Sequence, residues 1–252
     1  MIGSVGVIAS SGSAYDINAR MFFMAGNITN PTIKTAINTY VLDLKSNNLW
    51  SLFVCLHPFV GGTALSSSIN LIDTSLFTVV FNGGWTYPNG ALPNGTNGYY
   101  DTGVYPNLVL TESDYSYGFY YGTTTVLNQY TGIYDAGGAL GMFKASTSLY
   151  VYGNTTADIA PPITPSSFDG FHQVTKHNAT EVKYKHSGEA IETRGCVPTL
   201  PMATSMFTYG GDLALYEDRE IFLDYFTNRA LTNAEMATLE TLTEQLQTNL
   251  GR

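Results

Sequence analysis

Charged side chains are scarce in this sequence: Asp, Glu, Lys and Arg make up only 12% of its 252 residues. Twenty acidic residues outnumber 11 basic ones, which gives a net charge of −9. The basic residues form no stripe or patch, so the chain lacks the positive surface that neutralises phosphates, and nucleic acid is not an expected partner. The same charge balance disfavours docking on an anionic membrane.

Long apolar runs are also missing. No segment offers the ~20 apolar residues that a membrane span needs. The mildly apolar start, MIGSVGVIASSGS, has no Lys or Arg before its short apolar run, so it does not fit a secretory signal. We therefore expect a protein that is made and folded in a cytoplasm and does not span a membrane.

Residues that hold metals or cofactors are few. Cys55 and Cys196 are the only cysteines, they lie far apart, and they fit no zinc or redox motif, so two buried free thiols are expected. The four histidines are scattered and are expected to be structural, although two of them could approach each other across a predicted hairpin. They are His57, His172, His177 and His186. No calcium loop or nucleotide fingerprint occurs, so the sequence predicts no metal and no cofactor.

Catalytic motifs are absent as well. A glycosidase on a sandwich fold would need two carboxylates about 5–5.5 Å or about 6.5–9.5 Å apart. Acidic residues at positions i and i+2 of a strand share a face, and Glu112 with Asp114 and Asp218 with Glu220 have this spacing. Both pairs are expected to be solvated surface, because one lies near a turn and the other encloses Arg219. We therefore predict no catalytic residue and no enzymatic activity.

Helical patterns are present near both ends. SAYDINARMFFMAG predicts a helix that stops near Gly26, and PTIKTAINTYVLDLKSNN has apolar residues on one helical face, with Asn30 as its cap and Pro31 in its first turn. The two helices would form an αα-hairpin. Thr232 and Glu235 form a capping box before an apolar stripe that predicts a C-terminal helix. That stripe could pack on the parent domain or serve as an oligomer seam.

Between these ends, short apolar runs alternate with turn signals about every 10 residues, which is typical of a sandwich or barrel. FHQVTK-HNAT-EVKYK predicts a hairpin, and a second reversal is expected at Ser187 and Gly188. The proline-rich ADIAPPITPSS is predicted to be a surface loop.

Aromatic residues make up 13% of the chain, and most are expected to fill the core. The stretch NGGWTYPNGALPNGTNGYYDT, residues 82–102, combines aromatic residues with dense turn chemistry. Exposed Trp and Tyr faces stack on sugar rings, so this loop is a candidate glycan site. The candidate residues are Trp85, Tyr87, Tyr99, Tyr100 and Asp101.

Several stretches resemble known families. FHQVTKHNATEVKYKHSGEAIE, FTYGGD and FLDYFTNRALTNAEM resemble strands and the closing helix of laminin-G-like and concanavalin-like domains, with HSG where those domains often have NG. AINTYVLDLKSNNLW, HPFVGGTA, FNGGWTYPNGALPNGTNGYYDT and LQTNLGR resemble, in order and spacing, a family of tailed-phage structural proteins with a concanavalin-like sandwich. This second resemblance covers roughly residues 14–252. It also implies that the Gly- and Asn-rich stretch helps to shape the fold.

The resemblance implies a mainly β fold: a concanavalin-like jelly-roll β-sandwich with an N-terminal αα-hairpin and a C-terminal α-helix. We expect a helical part at residues 1–52 and the sandwich at 53–252, together one structural unit. The implied function is that of a non-catalytic virion protein: a tail appendage, a head fibre or a capsid decoration, made in the bacterial host. The alternatives are a glycan-binding receptor-recognition module and, below it, a glycoside hydrolase on the same fold.

The expected partners follow from this function: other virion proteins, further copies of the chain in a homo-oligomer or multi-copy assembly, and a host-surface glycan. Low charge and many Tyr residues predict exposed apolar patches that mark interaction sites. The apolar residues 1–8 have too little pattern to form a core of their own, so we predict that they attach the chain to a virion neighbour or a sister copy.

Overall fold

In the part of the chain that the structure describes, two six-stranded antiparallel sheets form the body of the fold. The computed structural model describes residues 15–110, 113–122, 129–135, 138–145, 148–155, 163–196, 207–208 and 218–252. The helices are α1 Ile17–Ala25, α2 Pro31–Ser46, α3 Ala64–Ser68, α4 Pro106–Val109 and α5 Asn233–Leu250. The strands are β1 Phe53–Pro58, β2 Val80–Asn82, β3 Trp85–Thr86, β4 Leu92–Pro93, β5 Tyr99–Asp101, β6 Tyr115–Tyr121, β7 Gln129–Asp135, β8 Gly138–Ala145, β9 Ser148–Thr155, β10 Gly170–Asn178, β11 Glu181–His186, β12 Glu192–Gly195, β13 Phe207–Thr208 and β14 Ile221–Thr227.

The strand order brings distant parts of the chain together. The first sheet runs β1-β14-β6-β10-β11-β12, and the second runs β2-β5-β13-β7-β8-β9. A separate two-stranded ribbon, β3-β4, lies in the Gly- and Asn-rich stretch. The predicted hairpin is confirmed, because β10 and β11 pair in antiparallel register. Its second reversal is also confirmed, with a turn at Ser187 and Gly188.

The inner faces of the two sheets meet in an aromatic core. Tyr117 and Phe119 of β6 pack there with Tyr100 of β5, and all three are fully buried. The Tyr117 hydroxyl donates a 2.8 Å hydrogen bond to the carbonyl oxygen of Gly141 on the opposite sheet. Tyr fits such a core because its ring is buried while its hydroxyl finds a partner.

The outer face of the first sheet is covered by helices α1, α2 and α5. Alternate strand residues point to this side, so Leu56 and Tyr225 pack with helix residues while their neighbours face the inner core. Tyr40 of α2 and Thr243 of α5 share a buried 3.0 Å hydrogen bond between their hydroxyls. The C-terminal helix therefore packs on its own domain, which was the first of the two predicted alternatives.

The helix ends follow the predicted capping chemistry. The Asn30 side chain accepts hydrogen bonds from the amides of Thr32 and Ile33 at the start of α2. At α5, Thr232 and Glu235 form a complete capping box. The hydrogen bond from Arg229 lowers the pKa of Glu235 to about 2, so this carboxylate stays ionised at the positive end of the helix.

The predicted fold class is confirmed: the protein is mainly β, a concanavalin-like jelly-roll sandwich with an N-terminal αα-hairpin and a C-terminal helix. The division at residues 52 and 53 stays a prediction. Residues 1–8 and most of the proline-rich loop lie outside the described residues. Within this loop, Ile163 is buried and exchanges two backbone hydrogen bonds with Leu149, so the loop is anchored to β9 at this residue, while residues 164–167 are loop as predicted. The flanking prolines lack an amide proton, but Ile163 supplies its own.

Candidate functional site

The Gly- and Asn-rich stretch is held in shape by its own side chains. The Asn94 side-chain oxygen accepts hydrogen bonds from the amides of Thr96, Asn97 and Gly98 at 3.0–3.1 Å. The Asn97 side-chain oxygen accepts from the Gly84 amide at 3.1 Å and from the Asn94 side chain at 2.8 Å. These bonds replace the backbone pairing that a turn lacks. The turn chemistry in this stretch therefore shapes the fold.

The loop aromatics converge on Phe81. Trp85, Tyr87 and Tyr100 lie with ring centroids 5.0, 5.2 and 5.8 Å from that of Phe81. The Trp85 indole N–H donates to the carbonyl oxygens of Asn82 and Tyr99. Trp85 and Tyr87 are half-buried, and burial raises the pKa of Tyr87 to about 12. Both rings support the loop and expose only part of their surface.

The β5 residues alternate between the core and the surface. Tyr100 has no exposed surface, and its hydroxyl donates a 2.5 Å hydrogen bond to Asp224. It therefore cannot contact a ligand from solvent, because it belongs to the inner core. Tyr99 and Asp101 are half-buried on the opposite face of the strand, and Asp101 accepts a hydrogen bond from the Gly103 amide. Glycan binding by Trp85, Tyr87, Tyr99 and Asp101 stays a prediction.

Asp218 and Glu220, at positions i and i+2, line the same cavity, which has a volume of about 500 Å³. Both are half-buried, so they are not the freely solvated surface that the sequence indicated. The other lining residues are Leu92, Gly122, Phe222 and Arg252. Of the other acidic pair, Glu112 lies outside the described residues, and the exposed Asp114 accepts a hydrogen bond from the Ala230 amide.

Arg252 has a fixed position at the edge of this cavity. Its Nη1 donates to the carbonyl oxygens of Phe59 and Asn89 at 3.1 and 2.5 Å. Its guanidinium carbon lies 4.5 Å from the ring centroid of Phe222, a cation–π contact. Burial lowers the pKa of Arg252 to about 10, which leaves the group charged at neutral pH. Two donors are thus used by backbone carbonyls, and the Nε and Nη2 edge remains for a ligand.

A second cavity, of about 430 Å³, shares the lining residue Arg252 with the first. Its lining includes Pro88 and Asn89 of the Gly- and Asn-rich stretch and two glycines, Gly61 and Gly62, that have positive φ. We call the two cavities together the Arg252 groove. The opposite side of the second cavity is formed by Asn30, Thr32, Ile33, Val60 and Leu250.

Glu220 ties the loop to the groove. One of its carboxylate oxygens accepts hydrogen bonds from the amides of Asn89 and Gly90 at 2.9 and 2.6 Å. A side chain at Gly90 would stand 2.3 Å from the Ile221 carbonyl oxygen, so this close approach requires glycine. The loop is therefore positioned as one wall of the groove.

His172 and His186 are buried and contact groups of the protein itself. His172 and His186 do approach across the hairpin, with ring centroids 4.5 Å apart. Nδ1 of His172 faces the Tyr184 hydroxyl, while one ring nitrogen of each histidine faces a backbone carbonyl, of Phe168 or Asp169. Within the described ranges no group of three or more His, Cys, Asp or Glu is placed to hold a metal ion.

The other two histidines and the two cysteines differ in their exposure to solvent. His57 is fully buried beside Asp224, and His177 is exposed. Cys55 is buried as predicted, but Cys196 is only half-buried, since it lies next to the edge strand β12. Among the described helices, none combines the length and hydropathy that crossing a bilayer requires.

Sequence reasoning did not single out Arg252, Phe222 and Leu92, which line the candidate site. These three residues lie far apart in the sequence, and no sequence pattern relates their positions. The available signal was the terminal motif LQTNLGR, which contains Arg252 and which the phage resemblance singled out.

No protein-family model matches the chain, and no curated protein matches it. Several solved structures do match the chain. Domain 4 of AbnA, an extracellular arabinanase from Geobacillus stearothermophilus in complex with arabinotriose, has a TM-score of 0.53 at 14% identity, covering 75% of this chain and 98% of that domain.

Two further similar structures come from larger chains. Trypanosoma rangeli sialidase in complex with sialic acid has a TM-score of 0.55 at 12% identity, and the match covers 83% of this chain and 39% of the sialidase. The binding domain of botulinum neurotoxin DC in complex with SialylT has a TM-score of 0.51 at 10% identity, covering 76% of this chain and 52% of that one. At such identities the likeness shows the fold alone: a lectin-like β-sandwich.

Proposed function

We propose that this chain is a non-catalytic carbohydrate-binding module and that the Arg252 groove is its binding site. The observation that carries the proposal is the convergence of complementary groups in one cavity. Asp218 and Glu220 supply acceptors, Arg252 supplies donors, and Phe222 and Leu92 supply apolar surface. A sugar presents the matching set, because its hydroxyls both donate and accept and its C–H faces are apolar.

The dimensions and rigidity of the groove support the proposal. Its cavities, of about 500 and 430 Å³, lie in the range of small-molecule sites. Arg252 is fixed by two carbonyl oxygens and Glu220 by two amides, so neither side chain must be ordered when a ligand arrives. Pre-organised groups retain more of their interaction energy on binding.

The fold comparisons support the same class of function. The three similar structures named above are described as complexes with arabinotriose, sialic acid and SialylT. Sandwiches of this shape therefore occur in proteins that bind sugars. Because one fold can carry many functions, the proposal rests on the groove. The fold is supporting evidence only.

The absence of catalysis is part of the proposal. One oxygen of Glu220 is occupied by two loop amides, which gives this carboxylate a positioning role. A glycoside hydrolase is the competing function. It would show turnover of an oligosaccharide that is lost in both Asp218→Asn and Glu220→Gln.

A virion location remains a separate proposal, and it rests on the four motifs that resemble tailed-phage structural proteins. On that basis we propose that the module is displayed on a phage particle in several copies, beside other virion proteins, and recognises a host-surface glycan. Mass spectrometry of purified particles that carry the gene would test it. Absence of the chain from those particles would reject the location without affecting the groove.

The glycan proposal is tested by screening the protein on an oligosaccharide array and measuring the affinity of any hit by calorimetry. Arg252→Gln should weaken binding about ten- to hundredfold, since it removes a charged donor. Gly122→Ala offers a second test that breaks no polar contact. Its new Cβ would stand 3.4 Å from the Phe222 ring, an ordinary contact, while narrowing the cavity.

Matched controls are available away from the groove. Arg20→Gln changes an exposed arginine on α1, and Gly195→Ala changes an exposed strand glycine whose Cβ would meet little. Both should bind like the parent protein. Binding that survives Arg252→Gln and Gly122→Ala would place the site elsewhere, and no binding to any oligosaccharide would reject the function.

A further inference from the structure

Helix α5 ends, immediately before Arg252, at a glycine in the left-handed conformation. Gly251 has a φ of +78° and a ψ of 33°. Its amide donates a 3.0 Å hydrogen bond to the carbonyl oxygen of Thr248, and the Arg252 amide donates a 3.0 Å hydrogen bond to the carbonyl oxygen of Gln247. This pair of bonds is the Schellman motif, which closes a helix with a left-handed residue. The motif fixes the backbone of Arg252 relative to α5.

The position of this motif decides what the Arg252 side chain reaches. Leu246, in the last turns of α5, is buried among the helices, so the end of the helix is held against the domain. From there Nη1 of Arg252 donates to the carbonyl oxygens of Phe59 and Asn89. These two acceptors lie on different segments of the chain. A change of backbone direction at Gly251 would therefore move the guanidinium away from at least one of them.

Gly251 is required by its conformation and not by lack of space. The residue is exposed, and a Cβ built on it would meet no heavy atom within 4 Å beyond its chain neighbours. Glycine adopts left-handed angles without steric cost, whereas most L-residues populate them about five- to thirtyfold less. A substitution here therefore acts on the backbone of the last turn and on no side-chain contact.

We infer that Gly251 is a positioning residue of the Arg252 groove: its left-handed conformation directs Arg252 into the groove, and sugar binding depends on Gly251 through Arg252. This inference rests on the proposed function and adds a residue that does not line either cavity. The last turn of a helix opens at little cost in free energy, so a residue that disfavours the motif releases Arg252 in a fraction of the molecules. The apparent affinity falls with the fraction in which the site is complete.

The test measures binding to the array oligosaccharide that the parent protein binds most tightly. Gly251→Ala disfavours the left-handed conformation, and Gly251→Asn is the conservative variant, because Asn tolerates that conformation. Gly188→Ala is the matched control. Gly188 is also exposed, has a φ of +74° and would give its Cβ no contact within 4 Å, but it lies in the turn after β11 and lines neither cavity. Gly251→Ala is also made in the Arg252→Gln background, which shows whether position 251 acts through Arg252.

A second measurement needs no sugar. Arg252 donates to the carbonyl oxygen of Asn89, which belongs to the same peptide group as the Gly90 amide. In the NMR spectrum of the free protein, Gly251→Ala should therefore move the Gly90 amide signal in the same direction as Arg252→Gln does. Gly188→Ala should leave it in place.

We expect Gly251→Ala to weaken binding about fivefold or more, while Gly251→Asn and Gly188→Ala bind like the parent protein. In the Arg252→Gln background, Gly251→Ala should cause no further loss. Unchanged binding or an unmoved Gly90 signal in Gly251→Ala, no recovery in Gly251→Asn, an equal loss in Gly188→Ala, or a full further loss in the Arg252→Gln background would each overturn the inference while leaving glycan binding intact. Absence of binding to every oligosaccharide would overturn the proposed function and this inference with it.

Discussion

The imidazole of His57 and the carboxylate of Asp224 form a 2.6 Å hydrogen bond in the interior of the sandwich, where neither residue has exposed surface. The other ring nitrogen of His57 lies 2.7 Å from the carbonyl oxygen of Phe77. Both nitrogens therefore face acceptors, which requires both to carry a proton. The second oxygen of Asp224 accepts from Tyr100, so this buried ion pair joins the two sheets.

We predict that Asp224→Asn destabilises the protein by about 3–5 kcal/mol, because it leaves the buried imidazolium without its counter-charge. Urea unfolding followed by circular dichroism measures the change. Asp43→Asn on α2 makes the same chemical change away from the core and should stay within about 0.5 kcal/mol of the parent. Equal stability of the two variants would show that the buried pair contributes nothing.

The same pair predicts loss of stability at alkaline pH. Burial opposes the charge on His57, but the Asp224 carboxylate outweighs this and holds the pKa of His57 well above its usual range. A raised folded-state pKa contributes stability that is complete below the unfolded value of about 6.5 and is lost as pH rises through the folded value. Urea midpoints should therefore fall above about pH 6.5, and His57→Gln should flatten that part of the profile. A parallel profile in His57→Gln would contradict the assignment.

The α5 capping box predicts a smaller effect. Thr232→Ala removes the acceptor for the Glu235 amide and should cost about 1 kcal/mol of unfolding free energy. Thr241→Ala, at an exposed position inside the same helix, is the matched control and should be neutral or slightly stabilising. Thermal unfolding distinguishes the two. A control that loses as much stability as Thr232→Ala would indicate a general effect of threonine loss.

The Asn94 network predicts a local effect. Asn94→Ala removes the acceptor for three loop amides, so amide exchange at residues 96–98 should accelerate by about tenfold or more. Global stability should change by less than about 0.5 kcal/mol, because the loop is exposed. Asn107→Ala, at an exposed position of α4, should leave that exchange unchanged. Protection that survives Asn94→Ala would mean that the strands, not the side chain, hold the loop.

Local patterns were readable from the sequence, and remote ones were not. The Asn30 cap, the capping box at Thr232 and the β10–β11 hairpin each depend on residues a few positions apart. The turn residues around Tyr100 indicate a loop, so the sequence predicts Tyr100 as a binding residue. In the structure it lies in the three-residue strand β5. Its period of two, with Tyr99 and Asp101 facing the other way, was the overlooked signal.

The Arg252 groove could not be derived in this way. Its walls come from segments near residues 30, 61, 89, 122, 220 and 252, which only the strand order brings together. The i, i+2 spacing correctly placed Asp218 and Glu220 on one side. Their environment depends on Arg252 and on the loop that Glu220 holds, and neither is encoded in local spacing.

The pairing of β1 with β14 has a consequence for how the chain is made. His57 and Asp224 are 167 positions apart, and β14 is the only neighbour of β1 in the described sheet. On the ribosome, β1 cannot pair with its neighbour in the sheet until residues 221–227 of β14 have been made. Sheets whose strands pair across such long sequence separations fold slowly, and they expose apolar surface until they have folded. We therefore expect the apolar faces of β1 to stay exposed on a growing chain until β14 has been synthesised.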